Sequence, residues 1–573
     1  MPVSNSDIAA LFNRLAELLE IEGANPFRVR AYRNAARVID ELPQSAASFL
    51  AEGKDLAELP GIGGDLAAKI EEIVRTGRLK ALEAVEREVP EGLVELSDVP
   101  GLGPKRVKAL YERLKIRSRR DLAKAVAAGK LHGLKGFGPK LEERIGRELG
   151  RATAPSKRTL LSVAEDVGEP LLEYLKATRG VRAAAIAGSY RRRKDTVGDL
   201  DILVACDDSA EVMGRFLAYD GVRDVLARGA TRSAVVLRSG LQVDLRAVPE
   251  ESFGAALHYF TGSKAHNIAV RALAVKRGWK LNEYGLFKGE KRLAGQTESE
   301  VYERMGLRYI EPELREDQGE IDASRGGTLP ALIELADLKG DLHVHTDASD
   351  GRSTLSEMAA AAKAKGYAYL GISDHSRRVT IAHGLDTRRL GRQIDAIDRL
   401  NGRLRGIEIL KSVEVDVLDD GSLDLPDSIL KELDYVVCAV HSKFSLPLRA
   451  QTERIIRAMD NRYVTIFAHP TGRLLNERPP YDVDMERIID AARQRGCALE
   501  LNAQPERLDL MDIHCRMAKE AGVKIALSSD AHSAAGLDLM RFGIGQARRG
   551  WLEAGDVLNT RPWKEVRALL RRG

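Results

Sequence analysis

The rhythm of apolar and polar positions changes along this 573-residue chain, and each change predicts a different architecture. Across the first 150 residues, apolar side chains recur every three to four positions, which predicts amphipathic helices. The segments AAAIAG, LDILVA, SAVVLRS and LQVDLRAV then read as strands, with Ser239-Gly240 turning one hairpin. Residues 250–312 return to mixed short elements. The stretch 312–330, PELREDQGEIDASRGGTLP, is acidic and then rich in Gly, Ser and Pro, the composition of a linker. From 338 onward, short apolar runs such as YLGIS, DYVVCAV, YVTIFAH, CALELN and VKIALSS alternate with helical stretches. That alternation predicts parallel strands joined by crossover helices, in a barrel or wound sheet.

Composition narrows the class. With 44% hydrophobic and 30% charged residues the chain is globular, and its length calls for several domains. No apolar run is long enough to span a bilayer. The N-terminal segment carries acids within its apolar pattern and lacks a small-residue cleavage site, so it reads as a helix rather than a signal peptide. Cys206, Cys438, Cys497 and Cys515 are scattered and lie in or beside apolar segments, as reduced core residues of a cytosolic protein do. The net charge of +4 does not announce nucleic acid. Its distribution is more informative: Lys105-Arg106, Arg117 with Arg119-Arg120, and the run Arg191 to Lys194 lie in the N-terminal half. These clusters suit either phosphate contact or a solvated basic face.

One pattern occurs three times: GIGGDLAAKI at 61–70, GLGPKRVKAL at 101–110 and GFGPKLEERI at 136–145. Each places Gly-hydrophobic-Gly at a helix start, through Gly61 and Gly63, Gly101 and Gly103, and Gly136 and Gly138. Backbone N–H groups at the positive end of a helix dipole hold a phosphate, and no base edge is touched. The repeat therefore predicts DNA binding that ignores sequence.

Two clusters of acids and imidazoles carry the chemistry. In GSYRRRKDTVGDLDILV (188–204), Asp199 and Asp201 alternate along a strand and share a face. Asp244, in LQVDLRAV, is expected to join them through antiparallel pairing. Carboxylates this close need a divalent cation, and such a triad supports in-line phosphoryl transfer. Farther along, DLHVHTDASDG supplies His343, His345 and Asp350. His375, Glu414, His441, His469, Asp530 and His532 then follow, each just after an apolar run. Strand ends converge at the mouth of a parallel barrel. The set therefore predicts a metal centre without thiolate, suited to Mn²⁺, Zn²⁺ or Fe²⁺ rather than Ca²⁺.

These motifs also carry family resemblances. LPGIGGDLAAKI with VRTGRLKALE, and FRVRAYRNAARVI upstream, resembles the lyase domain of DNA polymerase beta. The resemblance implies that Lys69 forms a Schiff base with an abasic sugar, although Asp65 stands where the family has a basic companion. Lys69 is otherwise a phosphate-binding surface lysine. The segment 188–204 resembles the nucleotidyltransferase signature of family X DNA polymerases, which implies that Gly188, Ser189 and Arg192 meet the triphosphate. YFTGS at 259–263 extends the likeness. It implies that Tyr259, Phe260 and Gly262 shape a deoxynucleotide pocket, that Asn267 reads the minor-groove edge, and that Arg271 faces the template. Lys264 replaces an acid of polymerase beta. The nine histidines and acids of the C-terminal half resemble the PHP (polymerase and histidinol phosphatase) domain. That likeness implies a Mn²⁺-dependent 3′–5′ exonuclease that also cuts at abasic sites, with His383 as a further substrate contact or a loop histidine without a metal role.

The order of the motifs is similar to that of bacterial family X polymerases. It implies a lyase-like helix-hairpin-helix domain at 1–90 and a fingers-like one at 91–155, then an α+β palm at 156–248 and a thumb at 249–315. A linker at 316–335 and a distorted (βα)7 PHP barrel at 336–573 complete the chain. The implied function is gap filling in base excision repair. The implied partners are gapped or primer–template DNA and deoxynucleoside triphosphates. Two Mg²⁺ or Mn²⁺ ions are implied at the acids, and up to three Mn²⁺ or Zn²⁺ ions in the barrel. The expected protein is a cytoplasmic, nucleoid-associated monomer. Three alternatives stay open: a histidinol-phosphatase-like enzyme, a non-catalytic DNA-end scaffold, and an RNA nucleotidyltransferase.

Overall fold

The helical periodicity of the N-terminal segment becomes helices Asn5–Glu22, Pro26–Asp40, Gly64–Thr76, Lys80–Glu88 and Pro104–Leu114 in the computed structural model. The structure describes residues 5–40, 46–51, 53–59, 61–88, 104–131 and 158–570, together with single positions between 42 and 146. Phe12 and Tyr32 meet edge to face at 5.6 Å between the first two helices. One apolar cluster runs from Ile8 through Ile70 and Val107 to Ile145. Residues of both segments expected as domains, 1–90 and 91–155, contribute to that cluster. They form one unit, residues 1–157; residues 158–573 form the second.

In the second unit, a five-stranded sheet has the spatial order Val181–Ile186, Asp199–Cys206, Gln242–Val248, Arg232–Leu237 and Val222–Ala227. The hairpin at Ser239-Gly240 forms as expected, with Gly240 at φ +91°. The expected antiparallel pairing of the acid-bearing strands does not form. Asp199–Cys206 and Gln242–Val248 run parallel, with Asp201 opposite Asp244. Helix Ser209–Leu217 and the intervening strands carry the chain back across the sheet, so it re-enters in the same direction.

Eight short parallel strands make the C-terminal barrel. Two of them, Glu408–Lys411 and Glu414–Asp416, are halves of one line broken at Ser412-Val413. The lower half pairs backward with Tyr369–Ile372, and the upper half pairs forward with Val436–Ala439. The barrel therefore has seven staves and is distorted at the third. Bridges His375 to Glu414 and Val344 to Ala531 close it. Among the described residues, no helix is long and apolar enough to cross a membrane.

The segment expected as a linker is folded, with several of its residues buried. Gly319 (φ +100°) and Gly327 (φ +72°) bracket the helix Glu320–Gly326, so the glycines serve turns rather than slack. Arg315 and Glu320 are fully buried. Glu320 accepts from His266 Nδ1 at 2.5 Å, and Ile333 joins the barrel core. Glu316 is shared by Arg192 (2.9 Å), Lys194 (3.5 Å) and Arg549 (3.0 Å). Arg549 belongs to the barrel helix Met540–Arg549 and also pairs with Asp512. Leu508 and Phe542 of the barrel complete the apolar core of the palm sheet.

These buried ions predict an acid limit. Burial pushes Glu298 and Glu316 up. Arg191 and Arg315 around the first, and Lys194, Arg549 and Arg192 around the second, outweigh it and hold both carboxyls at about 2. A depressed carboxyl stabilises the fold above its ordinary value of 4.5 and stops doing so as pH falls toward 2. That is worth about 3 kcal/mol for each group. Thermal melting followed by circular dichroism should show the midpoint dropping through that window. Arg549→Met should lower stability by about 3–5 kcal/mol at neutral pH, measured by urea unfolding, because Asp512 loses the guanidinium that it pairs with and buried Glu316 keeps only Arg192 and Lys194.

Candidate active sites

The palm site begins at a glycine where an added side chain would crowd an acid. Gly188 opens the short helix Gly188–Arg191 at φ +62°, and a Cβ there would lie 2.6 Å from Asp201 Oδ2. The preceding residue, Ala187, donates its N–H to the Asp201 carbonyl at 2.7 Å. The backbone of the GS turn is thus pressed against the first acid strand, as a turn that must approach a phosphate is built. Asp199 is exposed, Asp201 half-buried and Asp244 buried. Gln242 Nε2 (2.7 Å) and Arg232 Nη2 (3.0 Å) donate to Asp244 and fix its plane. Burial, with Asp199 and Asp244 alongside, pushes Asp201 up to about 6. Burial and Asp244 also raise Asp199. Three carboxylates held together against their own repulsion fit divalent cations.

The nucleotide-pocket candidates gather around the same acids. YFTGS ends the helix Phe253–Thr261 and turns at Gly262-Ser263 into the helix Lys264–Lys276, which Ser263 caps. Asn267 Nδ2 donates to the carbonyls of Tyr259 (2.7 Å) and Gly262 (3.1 Å), and a Cβ on Gly262 would lie 2.6 Å from Asn267 Oδ1. Arg271 lies 5.6 Å from the Tyr259 ring centre and Arg246 lies 4.5 Å from that of Phe260. A cleft is lined by Ala187, Asp201, Asp244, Arg246 and Phe260. Ser189 sits partly exposed in the Gly188 turn. Arg192 turns toward the thumb, donating to the Thr261 carbonyl at 2.7 Å and to Glu316.

In the barrel, all nine expected histidines and acids converge. His345, Asp350, His375 and His532 form one group, His343, His345 and Asp530 a second, and His375, Glu414 and His441 a third. His469 Nε2 joins Glu414 Oε1 at 2.9 Å. His469 (φ +29°) and Asp530 (φ +50°) hold strained left-handed backbones there. The donor set fits cations by geometry as well as by type. His343 Nε2 faces His345 Nε2 at 3.1 Å. His375 Nδ1 and Glu414 Oε2 lie 2.6 Å apart, yet both are buried without a hydrogen-bond partner. Burial pushes Glu414 up, but His375, His441 and His343 outweigh it, and the carboxylate stays ionised.

Reading the sequence missed Glu500. It is fully buried in strand Ala498–Asn502, 2.7 Å from His343 Nδ1, and accepts from the His469 N–H at 2.8 Å. Asp416 lies 3.3 Å from His441 Nδ1. Each acid takes one ring nitrogen and leaves the other for a metal. The available signal was a lone acid inside an apolar strand, since an unpartnered buried charge is too costly to keep.

In the helical unit, Gly61 takes φ +86° and Gly63 caps the helix Gly64–Thr76. Gly138 is exposed. Gly101, Gly103 and Gly136 lie outside the described residues. The Lys69 ammonium pairs with Asp65 one turn back on its own helix.

Fold and sites together define a polymerase-beta-type nucleotidyltransferase fused to a PHP barrel. Family models agree along the chain: a helix-hairpin-helix domain at 3–79, a SAM-like helix-hairpin-helix tandem at 93–151, the DNA polymerase beta palm at 164–253, the DNA polymerase beta thumb at 256–316, and the PHP domain at 341–504. Over 573 residues, 99% of each chain, it is 40% identical to the DNA polymerase/3′–5′ exonuclease PolX of Bacillus subtilis (strain 168). This chain belongs to the bacterial PolX family. DNA polymerase lambda of Arabidopsis thaliana is 28% identical over 55% of this chain and 62% of its own. A probable phosphatase of Thermoanaerobacter sp. (strain X514) is 34% identical over 38% of this chain and 89% of its own.

Gly188→Ala should displace Asp201 and cut primer extension by roughly a hundred-fold, because an ångström of misplacement costs that much. Exonuclease activity should stay within two-fold of wild type in the same preparation, since the barrel site shares no residue with the palm.

Proposed function

We propose that this chain fills gaps in DNA during base excision repair, extending the primer in the palm and trimming 3′ ends in the barrel. The observation that carries this reading is the pair of separate, cation-demanding centres on one folded unit. Asp199, Asp201 and Asp244 would hold two Mg²⁺ or Mn²⁺ ions, and the nine barrel residues up to three Mn²⁺ or Zn²⁺ ions. Bound there, such ions activate a hydroxyl or a water and neutralise charge on the attacked phosphate. The chain's own residues do the placing. The Gly188 turn brings backbone N–H groups to the triphosphate beside Ser189, with Arg192 at the palm–thumb corner. Tyr259 and Phe260, fixed by Gly262 and Asn267, form the wall against the sugar, and Arg271 extends toward the template. In the barrel, Glu500 and Asp416 orient His343 and His441, and His383 stands on the adjoining loop.

The helical unit would grip the phosphates of a gapped duplex through Gly61 and Gly63, with Gly101, Gly103, Gly136 and Gly138 repeating the motif. Lys69 acts as a phosphate contact while Asp65 holds it; a lyase step requires Asp65 to let it go. Cleavage at abasic sites, a monomeric state and a nucleoid location complete the proposal. A small-molecule phosphatase needs neither the palm triad nor the hairpins.

The test is a denaturing gel of a 5′-labelled primer in a gapped duplex with Mn²⁺, run with and without deoxynucleotides. Wild type should lengthen the primer with nucleotides and shorten it without them. Asp199→Ala with Asp201→Ala should stop lengthening and spare shortening, and His343→Ala should do the reverse, each by roughly a hundred-fold. A chelator should stop both. If either variant abolishes both activities, the two-centre reading fails.

A further inference from the structure

The loop after His375 carries a side chain that the chemistry above does not use. Ile381 is 95% exposed, the most exposed large hydrophobic among the described residues. A lone exposed isoleucine is ordinary on a free loop. This loop is not free. Both of its feet stand on the histidine cluster: Ser376 bridges to Leu385, and the Leu385 N–H donates to the His375 carbonyl at 2.7 Å. Inside it, the N–H groups of Val379, Ala382 and His383 close turns onto Ser376, Val379 and Thr380, each at 3.1 Å. Ala382 and Leu385, just after the tip, are buried anchors.

Three further features stiffen it. Arg389 donates to the carbonyls of His383, Gly384 and Ala348, and so clamps the loop to the segment after His345. Gly384 has no room for a side chain, since a Cβ there would lie 1.8 Å from the Ser376 carbonyl oxygen. His383 takes the left-handed conformation at φ +54°. The fold thus holds an apolar tip rigidly in water. The tip lies six positions after His375, at most about 22 Å of chain, and the turns shorten that span. Arg377 and Arg378 are exposed on the same loop, with Arg377 braced by Asp424.

We propose that Ile381 is a wedge that enters beside the 3′-terminal base pair of duplex DNA and unstacks its last nucleotide, while Arg377 and Arg378 hold the flanking phosphates. The proposal rests on the exonuclease reading of the barrel. A terminal nucleotide in a duplex is paired and stacked, so its phosphodiester reaches a recessed cluster only after the base leaves the helix. Apolar side chains that insert between base steps do this in other DNA-bending proteins. Single strands and mismatched ends need no wedge.

The experiment compares full-length wild type, Ile381→Ala and Ile381→Leu on three 5′-labelled Mn²⁺ substrates: a blunt duplex, the same duplex with a mismatched 3′ nucleotide, and the single strand. Ile381→Ala should slow removal of the paired nucleotide about ten-fold or more, the effect of losing one buried isoleucine contact. It should leave the mismatched and single-stranded rates within two-fold, and Ile381→Leu should restore the duplex rate. Equal loss on all three substrates, or no loss on the duplex, would overturn the wedge. A wild type that degrades none of them would instead overturn the exonuclease reading, and the wedge with it.

Discussion

Glu316 is a buried carboxylate that three cations share: Arg192 and Lys194 from the palm, and Arg549 from the barrel. The buried Glu316 carboxylate stays ionised because these cations surround it. Arg549 extends the set to Asp512 and to the Arg192 carbonyl, at 3.0 Å. The barrel helix lies so close that a Cβ at Gly545 would meet the Arg193 Cβ at 3.1 Å. Palm, thumb and barrel depend on this junction for their common frame. The chemistry is divided between two centres, but the loop that presents Arg192 is held from the barrel side.

Both centres solve the same electrostatic problem with different materials. In the palm, three carboxylates face one another across parallel strands, and their repulsion is the driving force for binding cations. In the barrel, imidazoles stand among the acids, and buried acids behind them fix the rings. A carboxylate site with open, partly exposed acids suits a metal that arrives with its substrate's phosphates. A site walled by histidines suits metals that stay. The mouth of that second site carries the stiff Ile381 loop, whose position is set by the same His375 that joins two of the three ligand groups.

Much of this was legible along the chain. The glycine hairpins, the spacing of Asp199 and Asp201, and the nine strand-end histidines and acids are local patterns, because backbone geometry fixes which neighbours share a face. The barrel class followed from alternating runs for the same reason. Three features were not legible. The direction of the Asp244 strand depends on how the chain crosses the sheet between Cys206 and Gln242, which no local pattern encodes. Glu500 looked like one more residue of an apolar strand until His343 and His469 were placed against it. Residues 316–335 read as a linker because acids, glycines and serines favour water when nothing else is near. Tertiary structure supplied His266 for Glu320, and Arg192 and Arg549 for Glu316. The sequence by itself determined the candidate residues of each centre and the class of each domain, since those are short-range matters of spacing and donor type. Only the folded chain decided strand direction, the acids behind the histidines and the junction of palm with barrel, because each requires partners far apart in sequence to meet out of water.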